Sequence, residues 1–531
     1  MTLLAKFASK HVLFVCALVL FLLSFTAWLR PLAMPDEGRY VGVAWEMVRN
    51  GDWAVPMLNG LPFFHKPPLF YWITAVPLSV FGPIEFAGRI APIFGGFIGC
   101  MSAYFFVRFW LNKDFAFTLL ITLLAFPAWF LGAQYANLDM LVAGLISVTT
   151  LLLAHTCFLI TQNKSYKTWL LGAYAFAALG LLAKGLIGVV LPGVIIVSWL
   201  LISAQWRVLW KLVSILGVLL FLGIASPWFI AMQMRYDGFS QYFFIEQHFK
   251  RFTSSTFNNV RPVYFYFLVL MLVTLPWWPW LLASLRSRSR SGQIESILTN
   301  LGDPIEVKIR LLMWVWLLSI LLFFSIPSSK LIGYVLPAMV PLVYLISMRI
   351  QATKNGLKKL AFSAILGLLI SWSVVAWFSL HTEKSSKEMA SVLLKRLQRD
   401  EPVFLINNYT YDLPFYAGLQ APMIVVDSWA QFGKAMKDDW RKELFDARRF
   451  GQMTGAKTLL DIGDLGNRLC DSPRSWIVAS SAIVRLEKNL ATAELIGTFD
   501  DKKLWLINRE LPETAAILKC ERKPIADLRS R

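Results

Sequence analysis

The chain has 531 residues, of which 57% are hydrophobic, 15% aromatic and only 16% charged, and it carries a formal net charge of +19. Such a composition excludes an ordinary soluble domain and indicates a polytopic α-helical membrane protein. The positive excess is spread over short loops between apolar runs, with no helix-turn-helix pattern or basic stripe, which excludes nucleic acid as a partner and favours anionic membrane lipid.

The first apolar run, 12–29, follows Lys6 and Lys10. A cleaved signal peptide is the alternative reading, but the length of the run and the many that follow it favour a retained span. Further runs lie at 84–110, 115–133, 139–161, 168–183, 186–203, 211–231, 263–283, 311–327, 332–349 and 359–379, so the chain is expected to hold about eleven to thirteen transmembrane helices. With the N-terminus inside, the connectors holding Lys113, Lys164, Lys167, Arg207, Lys211, Arg286, Arg288, Arg290, Lys354, Lys358 and Lys359 all fall on the cytoplasmic side. The basic run RSRSRSGQ near 286–293 needs no further role than fixing that topology.

An odd number of spans places the tail outside. There EPVFLINNY, APMIVVD, SWIVAS and KLWLIN read as short strands and KEMASVLLKRLQRD as an amphipathic helix. We expect a transmembrane domain over 1–380, with a long first outer loop at 30–83, and a soluble α/β domain over 381–531 that is large enough to hold its own core. Of five cysteines, Cys16, Cys100 and Cys157 fall in spans, while Cys470 and Cys520 fall in the tail. No Cys-x-x-Cys spacing suggests a metal-thiolate site, and pairing of the two outer cysteines is left open by the sequence.

This topology strands several cations on the outer side. Loop length accounts for Arg49, Arg235 and Arg261, but Lys184 and Lys330 sit in short turns between apolar segments, where a desolvated cation calls for an anion. Lys66 precedes Pro67 and Pro68, which hold it extended and open the next helix, so its ammonium and the free amides of that helix can meet at one phosphate. Snorkelling to lipid headgroups is the plainer alternative for Lys66. After Pro35, residues 38–49 place Val41, Trp45 and Val48 on one stripe before Asn50-Gly51, as expected of a helix lying in the membrane interface. Asp36, Arg39 and Tyr40 share a face of it. Asp36 and Glu37 suit either simple capping or a general base, metal ligand or electrostatic partner.

Taken in order, DEGRY, NGLPFFHKPPLFYW, LDMLVAG, LLAKGLIGVVLPG, SPWF, FFIEQHFKRF, LPWWPW and FSIPSSKLIGYVLPAMVPL resemble the GT-C type lipid-linked-sugar glycosyltransferases. The aminoarabinose transferase (ArnT-like) branch is the nearer match and the protein O-mannosyltransferases are more distant. The likeness covers about 30–350 and extends more weakly into DLPFYAGLQAPMIVVD.

The resemblance implies an inner-membrane enzyme that moves a sugar, such as 4-amino-4-deoxy-L-arabinose, from a polyprenyl phosphate to a periplasmic acceptor, most readily a lipid A phosphate. It makes Asp36 and Asp139 the catalytic loop acids, with Glu37 beside the first. Arg39, Lys66, Arg251 and Lys330 become phosphate ligands, with Tyr40 and Tyr334 lining the site and His248 nearby; Lys184, from its short outer turn, is a further candidate phosphate ligand. One departure is His65, where the ArnT-like pattern reads Glu-Lys-Pro-Pro. His65 and His248, with Glu37 or Glu246, also make a divalent metal a candidate cofactor. No nucleotide-binding motif is present, which agrees with a lipid-linked donor. The rival class, an anionic-lipid transporter, should carry its ionisable groups near the bilayer midplane, and here they cluster at outer helix ends. Trp277, Trp278 and Trp280 read as an interfacial belt.

Overall fold

The computed structural model describes residues 10–250, 259–280, 282, 304–398, 400–434, 438–480, 482–483 and 490–520, without the side chains of 248–250 and 304. By contacts the chain forms two compact units: the first is Met1–Arg30 with Phe64–Leu380, and the second is Pro31–Phe63 with His381–Arg531.

Every apolar run expected to span carries helix in the first unit. Among the described residues, however, only six helices are long and apolar enough to cross a bilayer: Ile90–Trp110, Leu138–Thr161, Ile215–Arg235, Ile305–Ser325, Ile332–Gln351 and Gly356–Leu380. A seventh is gained if Lys113–Leu124 and Pro127–Ala133, bent by 65°, count as one. Pro127 explains the bend, because it disfavours helix at Phe126 and restarts it at the first position of the next segment. Lys10–Ser24 and Ile187–Ile202 are shorter apolar helices. So is Leu69–Phe81, within the long first outer loop expected at 30–83; it begins directly after Pro67 and Pro68, where the sequence places a helix start.

Close approach of the spans depends on missing side chains. Ile90–Trp110 packs on Leu138–Thr161, and a Cβ on Gly144 would stand 2.1 Å from the carbonyl oxygen of Gly95. In lipid there is little hydrophobic drive between helices, so backbones brought together by small residues gain their attraction from dispersion. At the end of the first helix a buried polar network replaces the water a helix terminus would otherwise have. Arg89 donates to the carbonyls of Ala27 (2.6 Å) and Arg30 (2.8 Å), Arg30 donates to the Gln134 carbonyl (2.6 Å), and Thr26 donates to the Gln134 side chain (2.7 Å).

The second unit is α/β. Its six-stranded sheet runs Leu459–Asp461, Ile424–Asp427, Val403–Ile406, Arg474–Ala479, Lys502–Asn508, Glu494–Phe499. The first four strands are parallel and the last two are added antiparallel. Phe404, Ile406, Val426, Ile477 and Ile507 form its core with Leu465, Leu469 and Leu518 from helices. Cys470 and Cys520 are disulfide-bonded across 50 residues.

The stretch after Pro35 is helical over Asp36–Asn50 and is stopped by Gly51 in the left-handed conformation, as its sequence predicts. The one-sided stripe expected of an interfacial helix is not what is buried: Val41, Val43, Ala44 and Met47 are covered together with the acids Glu37 and Glu46. The helix is packed into the second unit on more than one face, against the Leu413–Ala417 helix and the Met57–Leu58 strand.

Candidate active site

In the first unit, the N-terminal end of Leu138–Thr161 lies beside the C-terminal end of Lys167–Lys184. Asn137 caps the former, its side chain accepting from the Asp139 amide at 3.0 Å. An acid in a first helical turn and a lysine in a last turn are each favoured by the helix dipole, and packing these helices antiparallel brings the two together. The Lys184 ammonium donates to Asp139 and stands 4.6 Å from the ring centroid of Tyr334. The anion that the short turn called for is therefore a carboxylate of the chain itself, Asp139. Asn137 adds a longer bond to the other carboxylate oxygen, 3.3 Å.

Tyr334 belongs to the 3-10 turn Ile332–Ala338, and the turn fits because residue 333 is glycine. A Cβ there would stand 2.1 Å from the Asp139 carboxylate. The adjoining loop is fixed from the other side: Val260 bridges Ser329, the Lys330 amide donates to the Asn259 carbonyl (3.0 Å), and the Tyr266 hydroxyl donates to the Leu331 carbonyl (3.2 Å). Lys330 is buried, only 3% exposed. Its ammonium donates to the carbonyls of Pro327 (2.5 Å) and Arg261 (3.1 Å), and burial pushes its pKa down. An ammonium has three N–H donors; among the described residues two are assigned to protein carbonyls.

Lys66 stands two residues before the N-cap of Leu69–Phe81, the helix end the sequence predicted. Its neighbour Phe64 packs on Tyr236 and Phe239 (both 5.0 Å between ring centroids), and His65 lies 5.9 Å from Tyr242. These partners open or precede a π-helical segment, Gln241–Lys250, a rare backbone form concentrated at functional sites. Arg251 and the side chain of His248 lie outside the described residues. Among those described, no group of three or more His, Cys, Asp or Glu is placed to hold a metal, so the candidate metal set gains no support there.

The second unit holds the other expected group. Arg39 makes ion pairs with Asp36 and with Glu443, and its guanidinium lies 4.9 Å from the Tyr40 ring and 5.8 Å from that of Tyr411. Burial opposes the charge on Arg39, but Glu443 foremost, then Tyr40, Tyr411 and Asp36, hold its pKa above the usual arginine value. The Tyr411 hydroxyl donates to Glu443 at 2.8 Å. Glu37 is fully buried and accepts from the Ala33 amide at 2.9 Å, the position of a capping acid. Glu443 and Tyr411 were not anticipated, since nothing local in the sequence links residues some four hundred positions apart to Arg39.

Residues 65–230 match the family described as dolichyl-phosphate-mannose-protein mannosyltransferase. An undecaprenyl phosphate-alpha-4-amino-4-deoxy-L-arabinose arabinosyl transferase of Aeromonas salmonicida is 30% identical over 64% of this chain and 62% of its own length. The Yersinia enterocolitica protein of that name is 29% identical over 69% and 65%, and that of Pseudomonas aeruginosa is 27% identical over 82% and 78%. The chain thus spans less than two thirds of the first two relatives. The crystal structure of ArnT from Cupriavidus metallidurans bound to undecaprenyl phosphate superposes with a TM-score of 0.77, covering 94% of this chain and 98% of that one at 21% identity.

The chain has the fold of that ArnT.

In this fold the acid at 139 and the cation at 184 are joined by a direct ion pair, with the Tyr334 ring beside the ammonium. The sequence alone ordered these residues by motif; it did not show that two of them would occupy each other.

Proposed function

We propose that this protein is a membrane glycosyltransferase that takes a sugar from a polyprenyl phosphate and transfers it, on the periplasmic side of a bacterial inner membrane, to an acceptor, with the lipid A phosphate as first choice. The observation that carries this reading is the Asp139–Lys184–Tyr334 cluster, set at helix ends in a fold shared with an undecaprenyl phosphate-bound ArnT. The Cys470–Cys520 disulfide supports an oxidising compartment for the second unit.

The reaction is one displacement at the anomeric carbon. An acceptor oxygen forms the new C–O bond while the bond to the carrier phosphate breaks, and its electron pair leaves with the phosphate oxygen. Lys66 and the remaining donor of Lys330 stabilise charge growing on that phosphate, an effect worth about 3 to 4 kcal/mol for one well-placed donor. Asp139, oriented by Lys184 and Asn137, positions the nucleophile or the sugar. An acceptor phosphate is already anionic and needs no base; a hydroxyl would require Asp139 to take its proton.

The mannosyltransferase family match over 65–230 favours a second reading, transfer to a protein Ser or Thr. The test is transfer in detergent from purified undecaprenyl-phosphate aminoarabinose to lipid A, followed by mass analysis, with a Ser/Thr-rich peptide as the competing acceptor. Modified lipid A supports the proposal and modified peptide the second reading. No turnover with any lipid-linked donor, alongside vectorial movement of lipid in vesicles, would establish transport instead.

A further inference from the structure

The first unit contains a second concavity, at the ends of its helices remote from Asp139. A cavity of about 800 Å³ lies between Leu138–Thr161, Lys167–Lys184, Ile187–Ile202 and Ile215–Arg235, with the short helix Arg207–Leu212 bordering its mouth. Its lining is almost wholly apolar, with Leu153, Ala177, Ile196 and Phe221 among the walls. Thr149, the lining residue of Leu138–Thr161 nearest the site, is about ten residues from Asp139, roughly 15 Å along the helix axis. The Tyr174 hydroxyl donates to the Leu212 carbonyl at 3.0 Å, which ties the short helix to the wall. The volume is in the range of about 300–1,000 Å³ usual for a ligand site.

The mouth carries a distinct chemistry. Trp206 and Trp210, 51% and 74% exposed, line the cavity. Arg207 and Lys211, four apart, share the neighbouring face and are exposed. Indoles beside cations on a short helix mark the level where lipid headgroups begin.

We infer that this cavity is a binding site for an anionic phospholipid, its acyl chains between the helices and its headgroup on Arg207 and Lys211. An apolar interior rejects the headgroup and takes the chains, and the two cations select a negative headgroup over a zwitterionic one. The carrier lipid is a poorer occupant, because its phosphate is needed at the other ends of the same helices. The choice against the carrier rests on the proposed function, whereas the site itself depends on neither the sugar nor the acceptor.

Native mass spectrometry of the full-length protein in detergent, given equimolar phosphatidylglycerol and phosphatidylcholine, tests it. Two cations at about 1 kcal/mol each predict a preference for phosphatidylglycerol of roughly 30-fold. Arg207→Gln with Lys211→Gln should remove the preference while leaving both lipids bound at the phosphatidylcholine level. Gly193 lines the cavity and a Cβ there meets nothing within 4 Å, so Gly193→Leu should fold, fill the space and reduce retention of both lipids. Equal retention of the two lipids by the wild type, or undiminished retention in a Gly193→Leu protein of normal thermal midpoint, overturns the inference. So does displacement of phosphatidylglycerol by equimolar undecaprenyl phosphate, which would make the cavity a carrier site.

Discussion

Gly333 is where a single methyl group has the clearest consequence. Its added carbon would overlap the Asp139 carboxylate, so Gly333→Ala must turn Asp139 away from Lys184 or shift the Tyr334 turn. Misplacement of a reacting group by about 1 Å costs on the order of 100-fold in rate, and we expect that loss in kcat with the protein still inserted and folded. Sugar transfer by Gly333→Ala at the wild-type rate would remove Asp139 from the chemistry. At Arg39 the consequence is structural as well. With side chains 16% and 15% exposed, the Arg39–Glu443 pair is desolvated enough that Arg39→Ala should cost about 3 kcal/mol, the lower end of the range for a broken buried pair. Arg39→Ala with Glu443→Gln should recover part of that in chemical denaturation, because the more buried carboxylate is then gone and only the more exposed Asp36 loses its arginine.

Two other acids of the second unit reverse the usual dependence on pH. Burial raises the pKa of Glu46 against the opposing pull of Arg49 and the Gly60 amide, and it raises that of Asp412 against hydrogen bonds from Ser386 and Ser385. Between the ordinary carboxylate value, about 4, and their raised values, the folded state holds more protons than the unfolded one. Stability from these groups is therefore greatest at low pH and falls as pH rises through that window. The melting temperature of Glu46→Gln should vary less with pH over it than the wild type does. An unchanged slope would show that the Glu46 proton does not contribute.

At the scale of elements, much was legible because the signals are local. Val403–Ile406, Ile424–Asp427, Arg474–Ala479 and Lys502–Asn508 are runs of β-formers bounded by turn residues, and Lys387–Arg396 carries a helical stripe. The two unanticipated strands of the six-stranded sheet lack such signals. Leu459–Asp461 has only three residues, and Glu494–Phe499 is a half-exposed edge strand broken by an irregularity at Gly497. The buried faces of Asp36–Asn50 were also hidden, since the bonds from the amides of Ala33 and Gly60 that help make Glu37 and Glu46 tolerable inside are tertiary or loop contacts. For the site the motifs marked individual residues, whereas the contacts of Arg39 with Glu443 and of Lys184 with Asp139 depend on tertiary packing. The disulfide belongs to this scale too. Closing a loop of about 50 residues restricts the unfolded chain by about 4 kcal/mol in the entropic account, and Cys470→Ser should lower the unfolding midpoint of the second unit accordingly. If reduction and Cys470→Ser both left that midpoint in place, the bond would be structurally idle.

For the molecule as a whole, the decisive physical quantity is which compartment each helix end meets. Neutralising a buried Lys330 with two carbonyls is incomplete, and a lysine so placed is tolerated beside an aqueous anion far more readily than in contact with acyl chains. The proposed topology puts the Asn163 turn and Ser203 inside and Asp237 and Asn407 outside, in keeping with Lys164, Lys167, Arg207 and Lys211 near the inner connections. Single cysteines introduced at those four positions should divide accordingly. A membrane-impermeant maleimide added to intact spheroplasts should modify Asp237→Cys and Asn407→Cys, and should reach Asn163→Cys and Ser203→Cys only after permeabilisation. Were Asn163→Cys and Asp237→Cys to label from the same side, Asp139 and the end of Ile215–Arg235 could not both face the periplasm, and a lipid-linked donor would lose its rationale, because nucleotide sugars are available on the cytoplasmic side.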